Sequence, residues 1–213
     1  MDNIIFDLDG TLIDSARLTA AILDQMLARR GVSDGADRAM IRRMDAVGGE
    51  AMIAAVLGKH SSDPASELEE FRSIHRTIAV PDDLPFAGVR ETLGMLDSAG
   101  AGMAICSNKP QFLCEKILGD LGLARHFRAI IGSAPDRPRK PAPDAALRAL
   151  TALGGDRART LYCGDSAIDV ATALAAGLPI VLVGWGYGTA EALAEQPGTP
   201  VLRSMSDLLR PAG

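Results

Sequence analysis

Residues 3–11 read Asn3-Ile4-Ile5-Phe6-Asp7-Leu8-Asp9-Gly10-Thr11, and the organisation of the chain follows from this stretch. An apolar run of strand length stops at a polar, glycine-containing turn. On a strand, side chains two apart share a side, so Asp7 and Asp9 would project together beyond the carboxyl edge while Leu8 turns inward. Two carboxylates at that spacing repel each other. The pair becomes chemically useful if a hard cation neutralises it or if one member holds a proton. The other reading is a solvated acidic turn or a helix cap. Gly10 allows the backbone to turn away.

Further runs of the same kind follow at residues 102–107, 129–132, 160–164 and 179–183. Amphipathic helical patterns separate them at 89–99, 111–122, 143–154 and 168–176, with Gly100, Gly122, Gly154 and Gly177 placed as stops. This alternation predicts an α/β fold with a parallel sheet covered on both faces. It is interrupted once. Residues 15–79 carry no strand signal but show helical stretches at 16–30, 34–45, 50–57 and 64–77, an all-helical insertion after the first strand. The expected division is therefore 1–14 with 82–213 as one domain and 15–81 as the other. Residues 200–203 and 205–209 are expected to add an edge strand and a short final helix.

Three other strand ends carry candidate chemistry. The second finishes Cys106-Ser107-Asn108-Lys109-Pro110, a hydroxyl and backbone N–H groups beside a helix start, which suits an anionic oxygen or an ordinary cap. The fourth finishes Cys163-Gly164-Asp165-Ser166-Ala167-Ile168-Asp169, with Asp165 at the edge and Asp169 one helical turn later. After the third comes Arg137-Pro138-Arg139-Lys140-Pro141-Ala142-Pro143, where a lysine held between prolines loses little freedom on meeting an anion. Each signal alone is also compatible with a cap or a solubilising loop. Four of them at the carboxyl ends of successive strands coincide with the edge where open α/β sheets bind ligands.

Composition narrows the function. Hydrophobic residues make up 47% and charged residues 23% of 213, the balance of a globular protein. Twenty-two Lys and Arg against 27 Asp and Glu give a net charge of −5, which offers no electrostatic footprint for nucleic acid. No apolar stretch reaches the ~18 residues of a membrane span, and the acidic opening Met1-Asp2-Asn3 differs from a basic secretory leader. A cytoplasmic location is expected. Three scattered cysteines, Cys106, Cys114 and Cys163, read as buried thiols in a reducing compartment. Asp7, Asp9, Asp165, Asp169 and Lys140 together hold three of the five net negative charges, so the acidity is largely local.

These residues resemble the haloacid dehalogenase-like superfamily, and within it the phosphoglycolate phosphatase-like group with an α-helical cap. The resemblance spans the chain: DLDGT at 7–11, Ser107-Asn108-Lys109, Lys140-Pro141-Ala142-Pro143 and Gly164-Asp165 with Asp169, in family order. Residues 85–93 and Gly184-Trp185-Gly186-Tyr187-Gly188 extend it. The latter reads as a turn lining the site, because no ribose-binding acid follows it as dinucleotide binding requires.

The resemblance implies a Rossmann-like, doubly wound sheet of order 5-4-1-2-3. It implies Mg²⁺ held by the Asp7 side chain, the Asp9 carbonyl and Asp165, with Asp169 behind them. Asp7 would be the nucleophile that becomes an aspartyl-phosphate, and Asp9 the acid and base. Thr11, Ser107, Asn108 and Lys140 would meet the phosphoryl group. Asp9 favours a phosphatase over a dehalogenase, since a poor alkoxide leaving group needs a proton donor.

The implied substrate is a small phosphorylated metabolite such as 2-phosphoglycolate, and the assembly a monomer or homodimer. A β-phosphoglucomutase-like phosphotransferase and a non-catalytic regulatory protein are the alternatives. In the insertion, Arg42, Arg43, residues 47–50, Lys59 and His60 are candidate substrate contacts, each also readable as solvated surface. His75 and His126 read as structural or surface residues.

Overall fold

The side chains of Ile4, Ile5 and Phe6 in β1 (Asn3–Phe6) are all buried, as a strand covered on both faces requires. A computed structural model describes residues 2–44 and 48–209; Asp45 and Val47 of the sequence reading lie outside the described residues. β1 pairs in parallel with β2 (Gly102–Pro110) on one side and β4 (Thr160–Gly164) on the other. β3 (Ala129–Ser133) continues beyond β2, and β5 (Ile180–Val183) and β6 (Val201–Leu202) continue beyond β4. The order is therefore β3-β2-β1-β4-β5-β6. Read from the other edge it is the expected 5-4-1-2-3 order with the short edge strand added. The direction of winding reverses at β1, which puts the ligand-binding crevice at that strand's carboxyl end.

Among the described residues, five α-helices belong to this unit: α5 (Val89–Ser98), α6 (Gln111–Asp120), α7 (Asp144–Ala152), α8 (Ala167–Ala176) and α9 (Thr189–Glu195). The labels α1–α4 belong to the helices of the inserted segment. α9 is absent from the sequence reading. It is short, and its start is set by tertiary contact, the Thr189 hydroxyl donating to the Val183 carbonyl at 2.7 Å.

On one face of the sheet Ile5, Ala104, Cys106 and Tyr162 pack with Ala146, Ala149, Leu150, Leu153, Ala173, Ala176 and Leu178. Four alanines on α7 and α8 let the helices approach closely and leave room for the Tyr162 ring, which is fully buried. On strand alternation Phe6 belongs to the opposite face from Ile5, and it meets Phe127 edge-on at 6.4 Å. All three cysteines are buried free thiols. Burial pushes the Cys106 thiol up to about 11, so it stays protonated and inert.

The chain divides into two compact units, Met1–Ile13 with Pro85–Gly213, and Asp14–Leu84. The second comprises α1 (Ser15–Arg29), α2 (Arg38–Met44), α3 (Gly49–Leu57) and α4 (Pro64–Thr77), with a 3₁₀ turn at Gly58–His60. Its buried apolar residues include Leu18, Ile22, Leu23, Met26, Ile41, Ile53, Leu57, Leu68 and Phe71. α2 starts at Arg38 rather than Asp34. The Asp37 carboxylate accepts the N–H groups of Ala39 and Met40 at 2.8 and 3.0 Å, and Asp24 accepts that of Ala36, which fixes residues before 38 as a turn. His75 is buried and stacks edge-on against Phe71, and His126 pairs with Asp97 at 2.9 Å. Among the described residues no helix is long and apolar enough to cross a membrane.

Glu67 ties the start of α4 to the preceding loop. The Ser61 hydroxyl donates to it at 2.6 Å and the Ser62 N–H at 3.0 Å, with Arg30 at 3.5 Å. Burial works to raise this carboxyl, but those donors outweigh it and leave it below its usual value. Its stabilisation is therefore present above the unfolded carboxyl range and lost as pH falls through the lower folded value. Glu67→Gln should cost about 1–3 kcal/mol at neutral pH. In urea unfolding followed by circular dichroism the gap from wild type should narrow as the solution is acidified below the usual carboxyl range.

Candidate active site

Beyond β1 the backbone folds back on itself: the Leu12 and Ile13 N–H groups donate to the Leu8 carbonyl, and Gly10 N–H to the Ile13 carbonyl. Gly10 takes φ +76°, and a Cβ there would lie 2.5 Å from Asp165 Oδ2. Both the turn and the approach to Asp165 therefore need glycine. Asp7 sits at the mouth of the sheet, its N–H still bonded to the Cys163 carbonyl at 2.9 Å.

Asp7, Asp165 and Asp169 are buried, and one carboxylate oxygen from each lies within 4.8 Å of the others. Lys140 enters this group from the loop after β3. Its ammonium is 2.7 Å from Asp7 Oδ1 and 2.7 Å from Asp169 Oδ1, and it is itself buried. The loop is held in place by Asn108, whose carboxamide accepts the Lys140 N–H at 2.8 Å and donates to the Lys140 carbonyl at 3.0 Å. Burial pushes the Asp7 carboxyl well above the usual range against the pull of Lys140, and Asp169, Asp165 and Asp9 add to the rise. Burial also opposes the Lys140 charge, but Asp169 and Asp7 overcome it and hold the ammonium firmly protonated.

Asp169 is the most heavily bonded of the acids. Oδ1 accepts from Lys140 and, at 3.1 Å, from the Tyr162 hydroxyl. Oδ2 accepts from the Ser166 hydroxyl at 2.6 Å and from the N–H groups of Ser166 and Asp165. With the Ser166 hydroxyl accepting the Asp169 N–H in turn, this is the capping box of α8. Burial alone would raise its carboxyl, yet Lys140 and these donors bring it below the ordinary value.

Asp165 Oδ2 accepts the Tyr187 N–H at 2.8 Å and, more weakly, that of Gly188 at 3.4 Å. The loop 184–188 is thus a brace for Asp165 as well as a turn. Gly186 lets it pass directly over Asp165, since a Cβ there would overlap the Asp165 side chain. Trp185 Nε1–H donates to the Thr11 carbonyl at 3.1 Å, tying the loop to the turn after β1.

The remaining expected residues fall as follows. The Thr11 hydroxyl is fully buried and turned to Asp165 Oδ1 at 3.4 Å, so it supports that carboxylate. Ser107 is buried, and its hydroxyl accepts the Lys109 N–H at 3.2 Å, which leaves its own proton to donate. The Asn108 side chain is engaged with Lys140, so any ligand contact from this residue falls to its main chain. Asp9 stands apart from the other three acids. Its Oδ1 pairs with Lys109 Nζ at 3.1 Å, and its side chain keeps 16% of its exposure. Arg43 lies on an exposed part of α2 with its guanidinium 3.7 Å from the Met40 sulfur, in the other unit.

The sequence reading placed Lys109 in a candidate strand end and Trp185 and Tyr187 in a turn lining the site, without a role for their side chains or N–H groups. Tyr162 it left within an apolar strand, with no local signal to mark it.

An oxygen-only set of buried carboxylates with a single lysine among them leaves excess negative charge, the condition a hard divalent cation relieves. Asp7 and Asp165 fit that role best. Asp169 has both oxygens held by five protein donors, whereas the Thr11 contact on Asp165 Oδ1 is a long one at 3.4 Å; Asp9 is paired with Lys109.

A family model for haloacid dehalogenase-like hydrolases matches residues 4–183. Among curated proteins, a phosphoglycolate phosphatase of Mesorhizobium japonicum is 39% identical over 86% of this chain and 83% of its own length. One from Rhodospirillum rubrum is 36% identical over 86% and 80%. Among solved structures, a haloacid dehalogenase-like hydrolase from Bacteroides fragilis superposes with a TM-score of 0.78 at 28% identity, covering 97% of this chain and 99% of that one. By sequence and by fold the chain belongs to the haloacid dehalogenase-like hydrolase family, in its phosphoglycolate phosphatase-like group.

Proposed function

We propose that this protein is a Mg²⁺-dependent phosphatase that hydrolyses a small phosphorylated metabolite of the 2-phosphoglycolate kind. The observation that carries this reading is the placement of Asp7 at the carboxyl end of the central strand. It lies 2.7 Å from the Lys140 ammonium and within reach of Asp165. Relatives that are phosphoglycolate phosphatases support the substrate class.

Asp7 is the nucleophile. Its carboxylate oxygen forms a bond to phosphorus as the bond to the leaving alcohol breaks, giving an aspartyl-phosphate. Asp9, on the more open side, gives its proton to the departing oxygen and then takes one from the water that attacks the intermediate. That second displacement releases inorganic phosphate and restores Asp7. Lys140 offsets charge at Asp7 and the phosphoryl oxygens, and the Ser107 hydroxyl donates to one of those oxygens. Asp7, Asp165 and the Asp9 carbonyl would hold Mg²⁺, which when bound supplies positive charge to a phosphoryl oxygen. Lys109 keeps Asp9 in place between the two proton transfers. The unit Asp14–Leu84 acts as the cap that selects the leaving group.

With p-nitrophenyl phosphate and Mg²⁺, Asp7→Asn should lose about 10³-fold or more in kcat while circular dichroism and melting stay native-like. Undiminished turnover would remove Asp7 from the reaction. A panel of phosphorylated metabolites that includes 2-phosphoglycolate, read by free phosphate, tests the substrate class; release from none of them would overturn the reading.

Lys140→Met should lower kcat/KM by about 10²-fold or more. It should also cost stability on the order of 3–5 kcal/mol in urea, because two buried carboxylates lose their cation. A variant with wild-type rate and stability would show that the lysine bears neither load.

Trp185 is the single tryptophan of the chain and bonds to the Thr11 carbonyl beside the site. Titration with Mg²⁺ should therefore change its emission saturably. Asp165→Asn should raise the half-saturating concentration about tenfold or more. An emission indifferent to Mg²⁺ in the wild type would count against the metal assignment without reference to activity.

A further inference from the structure

Among the described residues Tyr162 has the largest fully buried side chain, yet its hydroxyl reaches Asp169 and Lys140. It stands in β4 two residues before Gly164, on the face that packs against α7 and α8. Its oxygen is 3.1 Å from Asp169 Oδ1, 3.4 Å from Lys140 Nζ and 3.4 Å from the Cys106 carbonyl. A phenol has one proton to donate. Asp169 is the nearest acceptor and the only charged one, so the proton goes there and the oxygen lone pairs face the lysine. Burial keeps the phenol protonated.

We propose that Tyr162 is a positioning residue for the reaction: its hydroxyl holds Asp169 Oδ1 and so sets how the Lys140 ammonium is shared between Asp169 and Asp7. The two ion pairs of Lys140 are equal in length, 2.7 Å each, so the ammonium sits where two pulls balance. A second donor on Asp169 Oδ1 draws down that oxygen's hold on Lys140. Without it the ammonium moves toward Asp169 and away from Asp7, where the phosphoryl group is transferred. The ring itself is a packing element among alanines, and phenylalanine fills the same space. The hydroxyl can therefore be removed with the core intact.

This inference rests on the proposed phosphatase activity, and the test separates the two. Tyr162→Phe should lower kcat for p-nitrophenyl phosphate about tenfold, with KM within about twofold and a melting temperature within a few degrees of wild type. The ¹⁵Nζ resonance of Lys140, identified by its disappearance in Lys140→Met, should shift in the same variant. Wild-type protein that releases no phosphate overturns the activity, not the positioning. Active wild type with an unchanged kcat in Tyr162→Phe overturns the positioning. So does a fall in kcat with the Lys140 resonance unmoved, or a loss confined to stability with full turnover per folded molecule.

Discussion

A single ammonium group, that of Lys140, lies in the interior between the carboxylates of Asp7 and Asp169. Bringing three charges out of water costs several kcal/mol per ion unless their geometry is close and their remaining hydrogen-bonding capacity is filled. Both conditions are met at Asp169, and the first of them at Asp7, where burial still pushes the carboxyl above its usual range. The partners come from the end of β1, from the loop after β3 and from the first turn of α8, and the two ion pairs of Lys140 span 133 and 29 residues of sequence. None of these segments can shift alone without uncovering a charge. The pair of bonds from Asn108 to the Lys140 main chain extends the constraint to β2. Three other strand ends are thereby tied to this lysine after β3, two through its ammonium and one through its main chain, and the geometry of the acids follows from keeping that lysine satisfied.

The same constraint orders the acids into different tasks. Asp169 receives five protein donors and is fixed as a permanent anion, the counter-charge that makes burial of Lys140 tolerable. Asp165 is braced on one oxygen by the loop 184–188, and its other oxygen accepts from the Thr11 hydroxyl. At Asp7 the pull of the shared lysine is outweighed by burial. Asp9 is less buried and paired with Lys109, in keeping with the proton exchange proposed for it. Four carboxylates of one chemical kind are thus separated by environment rather than by identity.

Much of this was legible in the sequence because it is written in local patterns. The strand of residues 3–6, the DxD spacing of Asp7 and Asp9, and the Gly164-Asp165 to Asp169 interval each declare an element and its end within a few residues. What was illegible depends on contacts between distant segments. Tyr162 reads as one more apolar residue of a buried strand until β4 is set beside the Lys140 loop. Trp185 and Tyr187 read as part of a turn lining the site, and which of their groups act is set only when that turn crosses Asp165. Thr11 and Asn108 were legible as site residues, but their side chains proved to bind the protein's own Asp165 and Lys140. In the insertion, helical periodicity over residues 34–45 ran through a turn that Asp24 and Asp37 enforce with side-chain bonds a periodicity argument does not see.

The division of the chain into two units gives these differences a functional meaning. Every side-chain partner described for Lys140, Asp165 and Asp169 belongs to the sheet unit. The unit Asp14–Leu84 is stabilised by charges of its own, Arg30 with Glu67 and Glu70, Arg38 with Asp24, Arg17 with Asp83. Substitutions in the helical unit can therefore alter its surface without disturbing the buried Lys140 cluster. Changes around the cluster are penalised at once, because each side chain there satisfies another's charge. Chemistry held rigid by mutual charge satisfaction and a separately stabilised insertion free to vary is the arrangement in which one hydrolytic reaction can serve many phosphorylated substrates. It also explains why the motif-bearing strand ends of this chain disclose the reaction more readily than its helices disclose the leaving group.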